Sequence, residues 1–186
     1  RRSLYSSVFA GGFGYAYGHN ALWQMTPHTA QKWMLSGWNP GVANWKDALD
    51  TPAVAELANI FPLLYARPYL TRIPDQSVIL SGQGATIADR VQATRDGTGG
   101  HRDATYLMIY IASPRTVTID TAIIGGKMLN ASWFEPATGR TSRFRNDFPN
   151  TGTFTATSPA GSEDCVLLID DAAQNYAAPP QRAAAK

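Results

Sequence analysis

Charge is scarce in this chain: Asp, Glu, Lys and Arg together make up 16% of its 186 residues, and the formal net charge is only +2. No run of Lys or Arg exceeds two residues, so the electrostatic footprint of a phosphate-backbone reader is missing and nucleic acid is not an expected partner. Cysteine is scarcer still. The lone Cys165 excludes an intrachain disulfide, and its setting in Cys165-Val166-Leu167-Leu168-Ile169 reads as a small buried hydrophobe rather than a nucleophile or metal ligand. Long apolar runs are absent as well, so no membrane-spanning helix is expected. The chain carries no charged-then-apolar leader at Arg1 and opens directly into a helical pattern, which reads as a start inside an element. Also missing are a nucleophile elbow, a Gly-rich phosphate loop and a metal-spaced His/Cys set; His19, His28 and His101 are scattered, and neither a cofactor nor a metal is expected.

What the chain has in quantity is glycine, proline and aromatics: 16 Gly, 12 Pro, five Trp, eight Tyr and seven Phe, with a 44% hydrophobic share. Such a composition suits a loop-rich or β-rich globular protein with a real core. Leu4, Tyr5, Val8 and Phe9 form one apolar face of a short opening helix, which Gly11-Gly12 stops. Residues 13–17 of the following string GGFGYAYGHNALWQM, residues 11–25, are β-prone. They end in Gly18-His19-Asn20 and Trp23-Gln24, which sets hydrogen-bonding groups beside an indole at the C-terminal end of an expected strand. Parallel α/β folds build ligand sites there. The alternative is that Tyr15, Tyr17 and Trp23 are core aromatics and that His19 serves as a cap.

Residues 26–50 read as a long loop in which Trp33, Trp38 and Trp45 pack, either a sugar-stacking surface or a covered seam. A helix is expected from Thr51-Pro52 to Arg67-Pro68, on the spacing of Val54, Leu57, Ala58, Phe61, Leu64 and Tyr65, with Pro62 as a kink. From Tyr69 the period becomes that of strands, expected near 77–82, 89–95, 105–112, 116–121, 128–134, 141–145, 153–157 and 165–170. Tyr106 to Ile111 is apolar without alternation, as a central strand is, whereas Val117 and Ile119 alternate with polar neighbours around one wet face. Two packed antiparallel sheets satisfy this pattern. Residues 172–186 have little to bury and read as a disordered tail or linker.

Glycoside hydrolysis requires two carboxylates roughly 5–10 Å apart. Before residue 68 the carboxylates are Asp47, Asp50 and Glu56, all in positions suited to solvation or to a helix dipole, and none lies within 11–25. The acids of the second half mostly flank turns, with a calcium site in the loop between Asp96 and Asp103 as one option.

The string GGFGYAYGHNALWQM resembles the pattern near the end of the catalytic barrel in apiosidase-like glycoside hydrolases of the DUF4038 type. Ordered matches continue through Ala66-Arg67-Pro68, Ile73-Pro74-Asp75-Gln76, Ala93-Thr94-Arg95, Ala131-Ser132-Trp133-Phe134-Glu135-Pro136 and Glu163-Asp164-Cys165-Val166-Leu167-Leu168. The second half is similar to the module labelled the putative collagen-binding domain of a collagenase. Departures are Phe13-Gly14-Tyr15-Ala16, where the family has Gly-His-Thr before the tyrosine, and Cys165, where Trp is common.

The resemblance implies an α/β remnant, the last βα unit of a (β/α)₈ TIM barrel over residues 1–68, followed by an antiparallel β-sandwich over 69–171 and the tail. It implies a substrate-binding role for Tyr17, His19, Asn20 and Trp23, an oligosaccharide or polysaccharide with apiosyl- or arabinofuranosyl-like side chains as substrate, and catalytic carboxylates on barrel segments ahead of Arg1. It further implies a secreted or periplasmic hydrolase fragment, inactive without the missing barrel. A non-catalytic carbohydrate- or matrix-binding sandwich is the alternative.

Overall fold

A computed structural model describes residues 1–25 and 44–181. Its helices are α1 (Arg2–Phe9), α2 (Asn20–Trp23), α3 (Pro52–Ala58) and α4 (Ile60–Tyr65). Nine strands follow: β1 (Ile73–Pro74), β2 (Ile79–Ser81), β3 (Gln92–Arg95), β4 (Tyr106–Ile111), β5 (Thr116–Asp120), β6 (Met128–Glu135), β7 (Arg140–Pro149), β8 (Thr153–Thr157) and β9 (Cys165–Asp171). They form a six-stranded sheet in the order β1-β3-β4-β9-β6-β7 and a three-stranded sheet in the order β2-β5-β8, antiparallel throughout. All eight strands expected from the pattern have a counterpart.

The reason Tyr106 to Ile111 does not alternate is visible in the layers. Leu107, Ile109 and Ile111 meet Val117, Ile119, Phe154 and Leu167 between the sheets, while Tyr106, Met108 and Tyr110 meet Leu4, Tyr5, Val8, Phe9, Ile60 and Leu63 under the helices. All six β4 residues are buried. Fully burying each large apolar side chain contributes about 1.5–3 kcal/mol, so this strand anchors both cores. β5 keeps one wet face, with Thr116 and Thr118 pairing their hydroxyls with Thr157 and Thr155.

Four expectations change. Residues 13–18 form no strand: no described strand lies beside them, and a strand without a partner ladder is not stable. The expected helix of residues 51–67 is split at Asn59, whose side-chain amide donates to the Pro136 and Ala137 carbonyls at 3.0 and 3.1 Å. Pro62 then sits in the first turn of α4, where its missing N–H costs nothing. The tail is not free between 172 and 181: Ala172–Gln174 make a 3₁₀ turn, the Tyr176 hydroxyl bonds to Thr105 at 2.7 Å, and Pro179 is buried. Finally, β7 runs to Pro149, well past the expected end, because two register shifts carry its pairing with β6 onward.

The acids that were expected to sit at wet turns include Asp164 and Asp170, each only 3% exposed. Arg67 grips Asp170 of β9 with two bonds of 2.9 and 2.6 Å, both side chains nearly inaccessible. Arg1 holds Asp164 through Nε at 3.0 Å, Glu56 at 2.5 Å and Glu163 at 2.9 Å. Tyr110 donates to the same Asp164 at 2.8 Å. These pairs bind the helical segment to the sandwich, and a fork-on-carboxylate pair adds geometric specificity to charge.

Candidate functional site

α1 ends where the sequence says it must. The N–H of Gly12 returns to the Ser7 carbonyl at 2.9 Å, and a Cβ there would fall 2.8 Å from that oxygen. Gly11, at φ +105°, brings the backbone against the Pro74 ring. Arg72 supplies the helix C-terminus with a cation, donating to the Val8 carbonyl at 2.6 Å. The chain leaves the helix at a fixed point and then crosses the surface.

Residues 13–18 lie exposed. Tyr17 is 40% exposed, its ring 6.4 Å from that of His19 at an interplanar angle of 54°. The His19 Nδ1 accepts the N–H of Ala21 at 3.2 Å, and its carbonyl accepts that of Trp23 at 2.9 Å, so this residue caps α2. α2 lies beside the 3₁₀ turn Asp47–Asp50 and buries Ala21. Trp23 projects from the last position of α2 at 82% exposure. Asn20 opens α2, and its side chain lies outside the described residues, as do His28, Trp33 and Trp38. Tyr17, His19 and Trp23 thus share one short surface stretch. None of Tyr15, Tyr17 and Trp23 is a core aromatic.

The carboxylates nearby do not form an acid–base pair. Asp47 and Asp50 are exposed on the 3₁₀ turn, and Glu56 is held by Arg1. In the loop considered for calcium, Asp96 accepts the N–H of Thr105 at 2.6 Å and of Tyr106 at 3.2 Å, and Thr105 Oγ1 donates to its other oxygen. Asp103 accepts the Thr98 N–H at 2.9 Å, which holds its carboxyl below the usual range. These oxygens stitch the turn. Among the described residues no group of three or more His, Cys, Asp or Glu is placed to hold a metal. Cys165 packs in the inter-sheet core; burial pushes its thiol up to about 11, so the reactive thiolate is suppressed.

Sequence reasoning did not find two concave regions. A groove of about 600 Å³ between α4 and the tail is lined by Ala58, Phe61, Pro62, Tyr65, Ala66 and Pro180, none of them charged. A smaller recess of about 130 Å³ lies on the sandwich, with Trp133, Glu135, Arg140, Ser142 and Ser162 in its wall. The WFEP string entered only as one of the ordered matches to a family, and the sequence alone offers no signal for either region.

The model of the family described as "Apiosidase-like, catalytic domain" matches residues 1–71, and that of the "Putative collagen-binding domain of a collagenase" matches 73–170. A solved glycoside hydrolase is 30% identical over 95% of this chain, with a TM-score of 0.78. A glycoside hydrolase family 5 structure from Bacteroides vulgatus ATCC 8482 is 31% identical over 95%, with a TM-score of 0.80. The chain spans 37% and 36% of the lengths of those two structures. No curated protein matches it. The helix-covered antiparallel sandwich of this chain is thus similar to about a third of each of these two glycoside hydrolases. More particularly, the chain belongs to the family described as the putative collagen-binding domain of a collagenase, whose model spans residues 73–170, and its residues 1–71 are similar to part of an apiosidase-like catalytic domain.

Proposed function

We propose that this chain is the C-terminal portion of a glycoside hydrolase, in which residues 1–68 complete a (β/α)₈ barrel and residues 69–171 form the sandwich that braces it. The observation that carries the reading is the match of 95% of this chain, at TM-scores of 0.78 and 0.80, to little more than a third of each glycoside hydrolase. Residues 13–18 would be the last barrel strand, paired once earlier strands stand beside them. Their exposure, with that of Trp23, supports this: aromatic side chains left at a surface are the ones a further layer covers.

In that setting Tyr17, His19, Asn20 and Trp23 stand at the C-terminal end of a barrel strand, where such enzymes place their sites. Trp23 and Tyr17 offer faces for sugar C–H groups, and His19 and Asn20 offer hydrogen bonds to hydroxyls. The acid and the second carboxylate belong to earlier barrel strands. The substrate is a plant-type polysaccharide side chain of apiosyl or arabinofuranosyl kind, and the enzyme works outside the cytoplasm, in keeping with the domain partnership and with the lack of any helix among the described residues long and apolar enough to cross a membrane.

Hydrolysis of 4-nitrophenyl apioside and arabinofuranoside tests this. The 186-residue chain is expected to show none, and measurable turnover by it would overturn the placement of the carboxylates. In a chain extended with the reading frame that precedes Arg1, turnover is expected, and His19→Ala and Trp23→Ala are expected to lower kcat/KM. Retained kcat/KM in both variants would remove these residues from the pocket.

A further inference from the structure

The open edge of the sandwich carries a second set of recognition groups, on the sheet face opposite the helices. β6 and β7 pair Trp133 with Ser142 and Glu135 with Arg140, so these four side chains share one face. It is the inter-sheet face, since Leu129, Ala131 and Trp133 all belong to the core between the sheets. Only three strands cover the six, and the β7 end extends beyond that cover.

Phe144, two residues on from Ser142, lies on the same face, and the register shift between Ala131 and Ser132 leaves it unpaired between Arg143 and Arg145 and brings Arg145 opposite Ala131, onto that face too. Its ring stacks on Trp133 at 5.5 Å and 15°, yet remains 45% exposed. The ring is thus backed by the indole, leans toward Phe154 at 6.3 Å and 33°, and presents the rest of its surface to solvent. Next to it the Arg145 guanidinium lies over Phe148 at 4.7 Å and Phe154 at 5.7 Å. A guanidinium laid flat on rings keeps its N–H edge free for a carboxylate. Arg145 makes no ion pair among the described residues, and Arg140 has only the loose 3.6 Å contact with the half-buried Glu135. The two arginines flank the stacked rings along roughly 15 Å of strand. The recess of about 130 Å³ adjoins, floored by Trp133 and walled by Ser142 and Ser162; at Gly161, φ +79°, an added Cβ would meet open space.

An aromatic platform between two available cations matches a sugar chain that carries carboxylates: apolar C–H faces stack on the ring, and carboxyl groups take the forks. We infer that the β6–β7 edge is a binding site for a uronate-containing oligosaccharide, with Phe144 as the platform and Arg145 and Arg140 as the carboxylate anchors. The site does not depend on the barrel reading, because every group in it belongs to the sandwich.

Electrophoresis of the full 186-residue chain through gels containing polygalacturonate, its fully methyl-esterified form, or neutral arabinan tests the inference. The expected result is retardation by polygalacturonate alone, weakening as salt rises. Phe144→Ala and Arg145→Gln are each expected to weaken retention about tenfold, and Arg140→Gln less. Tyr65→Ala, on the helical side, is expected to leave it unchanged. Near-ultraviolet circular dichroism confirms that each variant is folded, and Arg140→Gln, at an exposed position, carries the test if Phe144→Ala is not. Equal retention by the esterified polymer, no retention by the native chain, or insensitivity to Phe144→Ala and Arg145→Gln in folded protein would each overturn the site. So would retention on collagen in place of polygalacturonate.

Discussion

On the face of the six-stranded sheet turned toward β2, β5 and β8, the contacts are made by aliphatic side chains, Trp133, two phenylalanines and a neutral thiol, with a buried ion pair, Arg95–Asp75, at the β1–β3 end. The face under the helices is different. It buries Tyr5, Tyr106 and Tyr110, and its margins hold Arg67–Asp170 and the Arg1–Asp164 group. Away from that pair and from the open β7 edge, the first face is a core that shape-matched hydrophobes fill; the second has the composition of an interface between modules, where polar anchors fix register between parts with separate folding patterns. Burial is comparable on both sides. Tolerance to substitution should not be.

The sharpest break comes from Arg67→Ala, which strands Asp170 in a buried site and is expected to cost about 3–5 kcal/mol in urea unfolding. A loss below about 1 kcal/mol would mean that the pair is solvated and the contrast false. On the dry face Ile109→Ala removes a fully buried side chain and is expected to cost about 2–4 kcal/mol, read from the same transition.

Tyr110→Phe deletes the hydroxyl that donates to Asp164 and should cost about 1.5 kcal/mol. Alkali should act on the dry face through Cys165. Because burial raises its thiol to about 11, the stabilisation from keeping it neutral is complete below the ordinary value near 8.5 and is lost as pH rises from there through about 11. A Tm profile should therefore fall across that window, and Cys165→Ala should flatten the fall; an unchanged slope would assign the loss to the tyrosines, which burial also raises. The smallest effect belongs to Tyr5→Phe. The Tyr5 hydroxyl is buried without a hydrogen-bond partner, so its removal should change stability by less than about 0.5 kcal/mol or raise it. Measuring Tyr5→Phe beside Tyr110→Phe separates stacking from hydrogen bonding, since the two rings lie 5.1 Å apart.

The dry face was legible in the sequence and the other was not, for a physical reason. Strand period and apolar content are local properties, so β4, β5 and β8 could be read within a few residues, and the unbroken apolarity of Tyr106 to Ile111 already announced two covered faces. Arg67 and Asp170 lie 103 positions apart, and nothing in either neighbourhood tells that they meet; each looks like an ordinary surface ion. β7 was cut short because its charged residues and irregular register hide the alternation by which strands are recognised. At the candidate sugar site, the capping role of His19 was readable as one option, while the grouping of Tyr17, His19, Asn20 and Trp23 as a pocket came from resemblance to a family. The Phe144 platform had no local signal, because the indole that backs it, Trp133, belongs to the neighbouring strand.

The position of β9 has a further consequence, for biosynthesis. Among the described strands it comes last in the chain, yet it lies between β4 and β6, joining the two halves of the larger sheet. Until Asp171 has cleared the exit tunnel, β4 and β6 each present an unpaired edge, and Arg67 has no counter-ion. Closure of the larger sheet must wait for β9 to emerge, and a nascent chain halted before Cys165 would hold sticky, unfinished strands that chaperones would need to shield.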